Sequence, residues 1–370
     1  MTATEGNSKR IALIGPVLPF RGGIAQHTTM LHRALPELSR HLTISFTRQY
    51  PTLIFPGESD RDPDYEGYRE PGVEYLIDSL NPLSWRRTVQ HILAFNADIA
   101  VLPWWTAYWA PCFGYIARAL RSKGLTVVFF CHNVLEHEPA RWKTSLTKWV
   151  LSQGSRFVVH TREDAANLRS LVTDAVVSVH PHPIYDQFPE PTGNLSRRGD
   201  LELLFYGFVR PYKGLDLLIE AMAKTPEHVY LTVAGEFWDG EEQMRHRIEE
   251  LGLTGRIELQ PRYQTDQETA ELFARSDIVV LPYRSATGSG VVPVAYHYDK
   301  PVIVTRVGGL PDVVDDGKTG KLIEPGNVNA IADAINSFTR ADAAAMVPAI
   351  QAFKSNMTWA SLASQFLDTH

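Results

Sequence analysis

The chain predicts an α/β fold of two doubly wound, Rossmann-like parallel-sheet domains. Three observations carry that expectation. Apolar strand-like runs alternate with amphipathic helical patterns along most of the sequence, the pattern of a parallel sheet covered on both faces. The alternation breaks once, near residues 184–200, and then restarts. Finally, 370 residues is more than one hydrophobic core usually fills.

The elements follow in order. RIALIGPVL is a short β-rich run, PFRGGIAQ a Pro/Gly loop and HTTMLHRAL an amphipathic helix start. Strand-like runs recur at LTISF (42–46), DIAVLPW (98–104), TVVFFCH (126–132), RFVVHT (156–161) and VVSVH (176–180). Helical patterns such as SWRRTVQHILAF and CFGYIARALRSKG separate most of them. IYDQFPEPTGNLSRRGD is rich in Pro, Gly, Asn and charge, has no sustained periodicity, and reads as a linker. The second half supplies strands at LELLFYG, VYLTVAGE, IELQ, DIVVLPY and KPVIVTRV, with helices at PGNVNAIADAINSF and around Trp359. The expected domains are 1–190 and 198–350, with 351–370 a C-terminal helix that packs back toward the amino domain. Open parallel sheets bind ligands at the carboxyl ends of their strands, so the ligand is expected in a crevice between the two.

Composition narrows the function. With 36 Lys and Arg against 42 Asp and Glu, the net charge of −6 argues against a nucleic-acid binder, which needs a cationic surplus. It leaves room for a local basic cleft. Two cysteines, Cys112 and Cys131, make neither a disulfide framework nor a metal-binding C-x-x-C, so a reducing compartment is expected. MTATEGNSKR lacks the apolar core of a signal peptide, and no run approaches the roughly 18 apolar residues of a membrane span. The expected location is cytoplasmic, with peripheral contact at the inner membrane face left open.

Chemistry should collect at strand ends. In PFRGGIAQHT (19–28), Gly22 and Gly23 let the backbone approach a ligand, and the following helix start offers free N–H groups to an anion. The stretch is not G-x-G-x-x-G, so NAD is poorly supported, and a tight turn without ligand also fits. In LLFYGFVRPYKGLDLLIEAM (203–222), Arg210 and Lys213 stand where a strand gives way to a helix. Arg grips phosphate with two parallel hydrogen bonds and Lys acts as a mobile point charge, so together they suit a diphosphate. A pair of solvated surface charges is the alternative. In SATGSGVVPVAYHYDKPVIVT (285–305), Thr287, Gly288, Ser289 and Gly290 precede an apolar, helix-capable stretch, a second anion-binding device in the same half.

Taken in order, FYGFVRPYKGLDLLIEAM, VAGEFW, DIVVLPYRSATGSGVV and KPVIVTRVGGLPDVVDDGKTGKLIEPGN resemble the carboxyl domain of the retaining family 4 glycosyltransferases (glycosyl transferases group 1), of GT-B fold. PFRGGIAQHTTMLHRAL and VVFFCHNVLEHE resemble the amino domain of that family. The resemblance implies two Rossmann-like domains facing each other across a cleft. It implies that Arg210 and Lys213 hold the donor diphosphate and take part in catalysis, and that Gly22 and Gly23 face that diphosphate. His132 would lie near the transferred sugar, hydrogen-bonding or orienting it rather than abstracting a proton. Glu236 in VAGEFW, with Arg262 and Tyr263 in QPRYQ, would hold the nucleoside.

The sequence departs from the family at one point. The family's Glu-x7-Glu pair would fall at Ala286 and Val294, so neither carboxylate is present. Ser289, Gly290 and Val291 are expected to meet the phosphates through backbone amides, and the sugar and ribose contacts must differ. Trp104, Trp105 and His137 are candidates for the acceptor side; core packing and a solvated loop are their respective alternatives. Neither His180 and His182 in VHPHPIYD nor any D-x-D forms a recognised ligand set, so no essential metal is expected. The cations would neutralise the leaving group instead.

The expected activity is retaining transfer of a sugar from a nucleotide-diphosphate sugar to a hydroxyl of a glycan or lipid-linked acceptor, in polysaccharide biosynthesis. The nucleotide sugar is co-substrate and no cofactor is needed. Two alternatives stand beside it: a non-catalytic GT-B module that binds nucleotide or glycan, and a nucleotide-sugar epimerase.

Overall fold

Strands such as Ile11–Ile14 and Ile278–Leu281 are apolar at every position and buried throughout. Both of their faces must therefore be covered, which only helix layers on either side of a sheet provide. The computed structural model meets that demand twice. It describes residues 9–51, 60–61, 65, 67–134, 141–184, 188–193, 196–286 and 288–367.

The first unit is residues 1–180 together with 359–370. Its elements are β1 (Ile11–Ile14), α1 (Gly23–Ala34), β2 (His41–Arg48), β3 (Val73–Asp78), α2 (Pro82–Ala94), β4 (Ile99–Trp104), α3 (Ala110–Arg121), β5 (Thr126–Cys131), α4 (Arg141–Leu151), β6 (Arg156–Val159), α5 (Arg162–Leu171) and β7 (Val177–Val179). Its seven strands run in the order β3-β2-β1-β4-β5-β6-β7, all parallel.

The second unit is residues 181–358. It contains β8 (Leu201–Tyr206), α6 (Leu215–Met222), β9 (Val229–Ala234), α7 (Glu241–Glu250), β10 (Ile257–Gln260), α8 (Asp266–Arg275), β11 (Ile278–Leu281), α9 (Val291–His297), β12 (Val302–Thr305), α10 (Leu310–Val313), β13 (Gly320–Ile323), α11 (Val328–Asn336), α12 (Arg340–Ala345) and α13 (Val347–Lys354). The order is β10-β9-β8-β11-β12-β13, again parallel. Successive side chains alternate between two cores: Ile278 and Val280 join one, Val279 and Leu281 the other. The last helix, α14 (Trp359–Leu367), packs on α1 within the first unit.

The chain divides at 180/181 rather than at 190/198. The Pro-rich stretch read as a linker is bound to the second unit. Ile184 lies in its core, and the Glu271 carboxylate on α8 accepts the N–H groups of Thr192 (2.7 Å) and Gly193 (3.0 Å). Likewise 351–370 is not one helix: its first residues finish α13, and α14 belongs to the other unit.

In each sheet the strand order reverses direction once, between β1 and β4 and between β8 and β11. Loops diverge there and leave a crevice at the carboxyl edge. The glycine loop follows β1. The cationic turn follows β8.

Candidate active site

In the second unit, β8 ends at Tyr206, and the chain crosses to α6 through a 3-10 turn, Pro211–Lys213. Proline sets φ for that turn. Gly214 ends it with φ +69°, and a Cβ there would meet the Pro282 carbonyl oxygen at 2.2 Å, so glycine is required on both counts. Arg284, just past β11, pins the turn from its neighbour. Its backbone N–H donates to the Tyr212 carbonyl (2.7 Å) and its guanidinium to the Pro211 carbonyl (2.8 Å) and, bidentately, to Asp216 on α6 (2.8 and 2.5 Å).

The turn presents two cations with no carboxylate. Arg210 lays its guanidinium on the indole of Trp238, 3.5 Å from the ring centroid. Lys213 is only 9% exposed, its ammonium 5.6 Å from the Tyr283 ring. Burial, reinforced by the like charge of Arg210, pushes the Lys213 ammonium down to about 8. Among the described residues neither cation makes an ion pair, whereas other arginines at the carboxyl edge of this sheet do: Arg284 with Asp216 and Arg262 with Glu268. Two uncompensated positive groups, one of them buried, are costly without an anion. A cavity of about 520 Å³ opens beside Arg210, lined among others by Tyr212, Asp239, Met244 and Ser285. That volume lies within the usual range for small-molecule sites.

The other expected donor residues of this unit lie at the same strand edge, in differing states. Ser289 and Gly290 lead into α9, but the Ser289 hydroxyl already accepts the Val291 N–H (3.2 Å) and sits 3.4 Å from the Tyr283 hydroxyl. Of the three positions expected to offer amides, Val291 is thus internally satisfied. Thr287 lies outside the described residues. Of the positions where the glutamate pair would fall, Ala286 is half-buried and Val294 is inside the core. Glu236 is exposed after β9, and its carbonyl accepts the Val209 N–H (2.9 Å). Arg262 is committed to Glu268, which also caps α8, and Tyr263 is exposed.

In the first unit, Gly22 has φ +104° and caps α1, and among the described residues neither Gly22 nor Gly23 has a neighbouring atom within 4 Å of where a Cβ would stand. His132 follows β5, its N–H donating to the Trp104 carbonyl (2.8 Å) as the ladder with β4 runs out. The His132 ring stands edge-on to Phe130 (4.6 Å) and to His27 from α1 (4.7 Å), with His160 at 5.6 Å. His27 is buried, stacked on Phe130 and touching Trp359 of α14. One ring nitrogen from each of the three histidines lies within 4.8 Å of the others. Sequence reasoning missed His27 and His160: the first reads as one polar residue of an amphipathic helix, the second as a strand end. Trp238 and Arg284 were missed as well, although an aromatic two residues after Glu236 and an arginine after a strand were visible signals.

The acceptor-side expectation needs correction for Trp104, which is 1% exposed in the core. Strand β4 extends through it in register with Cys131, so its side chain points into a helix layer. Trp105 is partly buried against that core, its indole N–H donating to the Tyr50 hydroxyl (3.3 Å). His137 lies outside the described residues. Both cysteines are buried and free of disulfides, and burial pushes their thiols up, which suits packing rather than reactivity.

Comparison with known proteins places these observations. The family model described as Glycosyltransferase Family 4 matches residues 21–187, and the one described as Glycosyl transferases group 1 matches residues 187–353. The D-inositol 3-phosphate glycosyltransferase of Mycobacterium leprae is 31% identical over 237 residues, 58% of this chain and 55% of that protein. The enzyme of the same name from Mycolicibacterium smegmatis is 27% identical over 60% of this chain and 54% of its own. The match spans about half the length of these curated relatives. Among solved structures, HepE of Anabaena in complex with UDP superposes with a TM-score of 0.71 at 18% identity, covering 97% of this chain and 98% of that one. Sucrose-phosphate synthase from Thermosynechococcus elongatus gives 0.68 at 19%, covering 96% and 97%. At such identities the likeness is one of fold.

Proposed function

Because the chain belongs to the family 4, group 1 glycosyltransferases of GT-B fold, we propose that it moves a sugar from a nucleotide-diphosphate sugar to a hydroxyl of a glycan or lipid-linked acceptor, with retention of configuration. One observation carries this reading: Arg210 and Lys213 stand at the switch point of the second sheet, and among the described residues neither is in an ion pair. A diphosphate is the ligand that two such cations suit. Solved relatives bound to UDP and to UDP-glucose support a donor of that class.

The scheme is electrostatic. As the bond from the anomeric carbon to the diphosphate oxygen lengthens, negative charge accumulates on the departing phosphate, and fixed cations stabilise it more than they stabilise the ground state. Lys213, desolvated before the donor arrives, has little water to shed at that moment. Arg210 offers a planar fork held by the Trp238 face. With two protein cations on the leaving group, no metal is required for that role. His132 is proposed to hydrogen-bond the transferred sugar, and Gly22 and Gly23 to admit the diphosphate to backbone N–H groups. Glu236, Arg262 and Tyr263 remain the proposed nucleoside contacts, and Trp105 the proposed acceptor contact.

The binding-module and epimerase alternatives are not favoured, since the relatives named above are transferases. Arg210→Ala and Lys213→Ala, assayed for nucleoside diphosphate release across a panel of nucleotide sugars, should each lose about 10²–10³-fold in turnover while keeping a folded-state melting transition. Normal turnover in both variants would remove the basis of the proposal.

A further inference from the structure

Helices α2, α3 and α4 pack side by side over the first sheet, each following a strand whose successor lies on the same side. Although the chain carries a net charge of −6, these three helices contain no Asp or Glu. They carry Arg86, Arg87, Arg118, Arg121, Lys143 and Lys148, all exposed except the half-buried Lys143. Between the cations stand large apolar side chains turned to solvent: Leu83 (65% exposed), Trp142 (62%), Tyr115 (41%) and Trp149 (40%).

Aromatic contacts join the three helices across this face. Trp85 of α2 meets Tyr115 of α3 at 6.1 Å. Trp149 of α4 lies over Gly114, next to Tyr115, so closely that a Cβ there would fall 2.3 Å from its ring. Trp142 is two turns before Trp149, on the same helical face. Arg121 ties the ends of α3 and α4 by donating to the Ser152 carbonyl (2.7 Å).

We propose that this outer face of α2, α3 and α4 is a membrane-docking surface that seats on anionic phospholipid. Tryptophan and tyrosine settle at the headgroup boundary, where an apolar body and a polar edge are both satisfied, and Lys and Arg lie along the same plane with their charges toward phosphate. Helices that carry cations and no carboxylate are drawn to the anionic leaflet. A second copy of this chain is a poor occupant, because a two-fold contact would set these cations against themselves. The surface shares no residue with the Arg210 and Lys213 turn, so the proposal stands or falls independently of the donor site.

The test is co-sedimentation of the full chain with vesicles of phosphatidylcholine alone and of phosphatidylcholine with roughly a third phosphatidylglycerol, at low and high salt. The protein should partition at least about ten-fold more strongly onto the anionic vesicles, and high salt should release it. Arg86→Glu combined with Lys148→Glu should abolish the difference. Trp142→Ser should weaken partition several-fold while leaving its salt dependence in place. Melting temperature checks that each variant is folded, and Arg87→Glu with Lys143→Glu replaces any variant that is not. Equal partition to both vesicles, or unchanged partition in the charge-reversed protein, would overturn the proposal. So would a concentration-dependent dimer that Trp142→Ser dissolves, since the face would then belong to a second copy.

Discussion

The carboxyl edges of the two sheets occupy equivalent places in equivalent topologies, yet they carry opposite kinds of chemistry. In the second unit the strand before the switch point leads into Arg210 and Lys213, two cations that make no ion pair among the described residues. In the first unit the matching strand leads into a glycine loop whose one charge is the exposed Arg21, and β5 and β6 bring His132 and His160 against His27 in an aromatic setting. The fold thus fixes where a ligand can be met, while the residues grafted at the edge fix what is met. One edge presents two adjacent cations. The other presents a single arginine, Arg21, and a cluster of imidazoles.

This contrast orders the expected effects of mutation. Loss of Arg210 or Lys213 should be the most damaging, at about 10²–10³-fold in kcat/KM, because charge stabilisation of a leaving group is large in a water-poor site. His132→Ala should cost less, about 10–10²-fold, and fall mainly on kcat rather than on affinity for a nucleoside diphosphate. If His132→Ala instead abolished nucleoside diphosphate binding, the division of labour between the two edges would be wrong.

A third prediction separates function from folding at the cationic edge. The Lys213 ammonium sits at about 8 against an ordinary 10.5, so the unfolded chain holds this proton more tightly than the folded one. Burying the charge therefore costs stability below about pH 8, and the cost fades as pH rises toward 10.5. Lys213→Met should raise Tm by a few degrees at pH 7, about 2 kcal/mol, with the gain shrinking across that window while turnover is lost. The native enzyme should also lose affinity for donor above about pH 8 as the ammonium discharges. A flat pH dependence of the Tm difference would show that Lys213 is solvated.

The smallest effect is expected from Trp238→Ala. It removes the face on which Arg210 rests without removing a charge, so donor affinity should weaken only several-fold, as loss of a partly exposed cation–π contact does. An effect as large as Arg210→Ala would mean that Trp238 touches the ligand itself.

Much of this was legible in the sequence for a physical reason: central strands of a parallel sheet are buried on both faces and appear as unbroken apolar runs. Strands β8 and β11 announced themselves in this way, and RPYKG after the first announced the turn. Strands β3 (VEYLID) and β13 (GKLI) did not, because polar or charged residues interrupt their apolar runs. The misplaced domain boundary has the same root. Residues 181–193 have no periodicity, and they are held by single contacts, Ile184 in the core and the Thr192 and Gly193 amides on Glu271, that leave no repeating trace. Trp104 misled because an aromatic at a strand end looks available to a ligand, whereas β4 continues through it into the core. The histidine cluster was beyond reach, since α1, β5 and β6 meet only in three dimensions.

The most direct measurement is calorimetric titration of the native enzyme and of Lys213→Met with UDP, GDP and ADP and with the corresponding nucleosides. An edge that grips the pyrophosphoryl group predicts that at least one diphosphate binds about a hundred-fold or more tightly than its nucleoside, and that the substitution erases most of this preference while leaving nucleoside binding alone. Diphosphate and nucleoside binding with equal affinity, or a preference that survives the loss of Lys213, would contradict it.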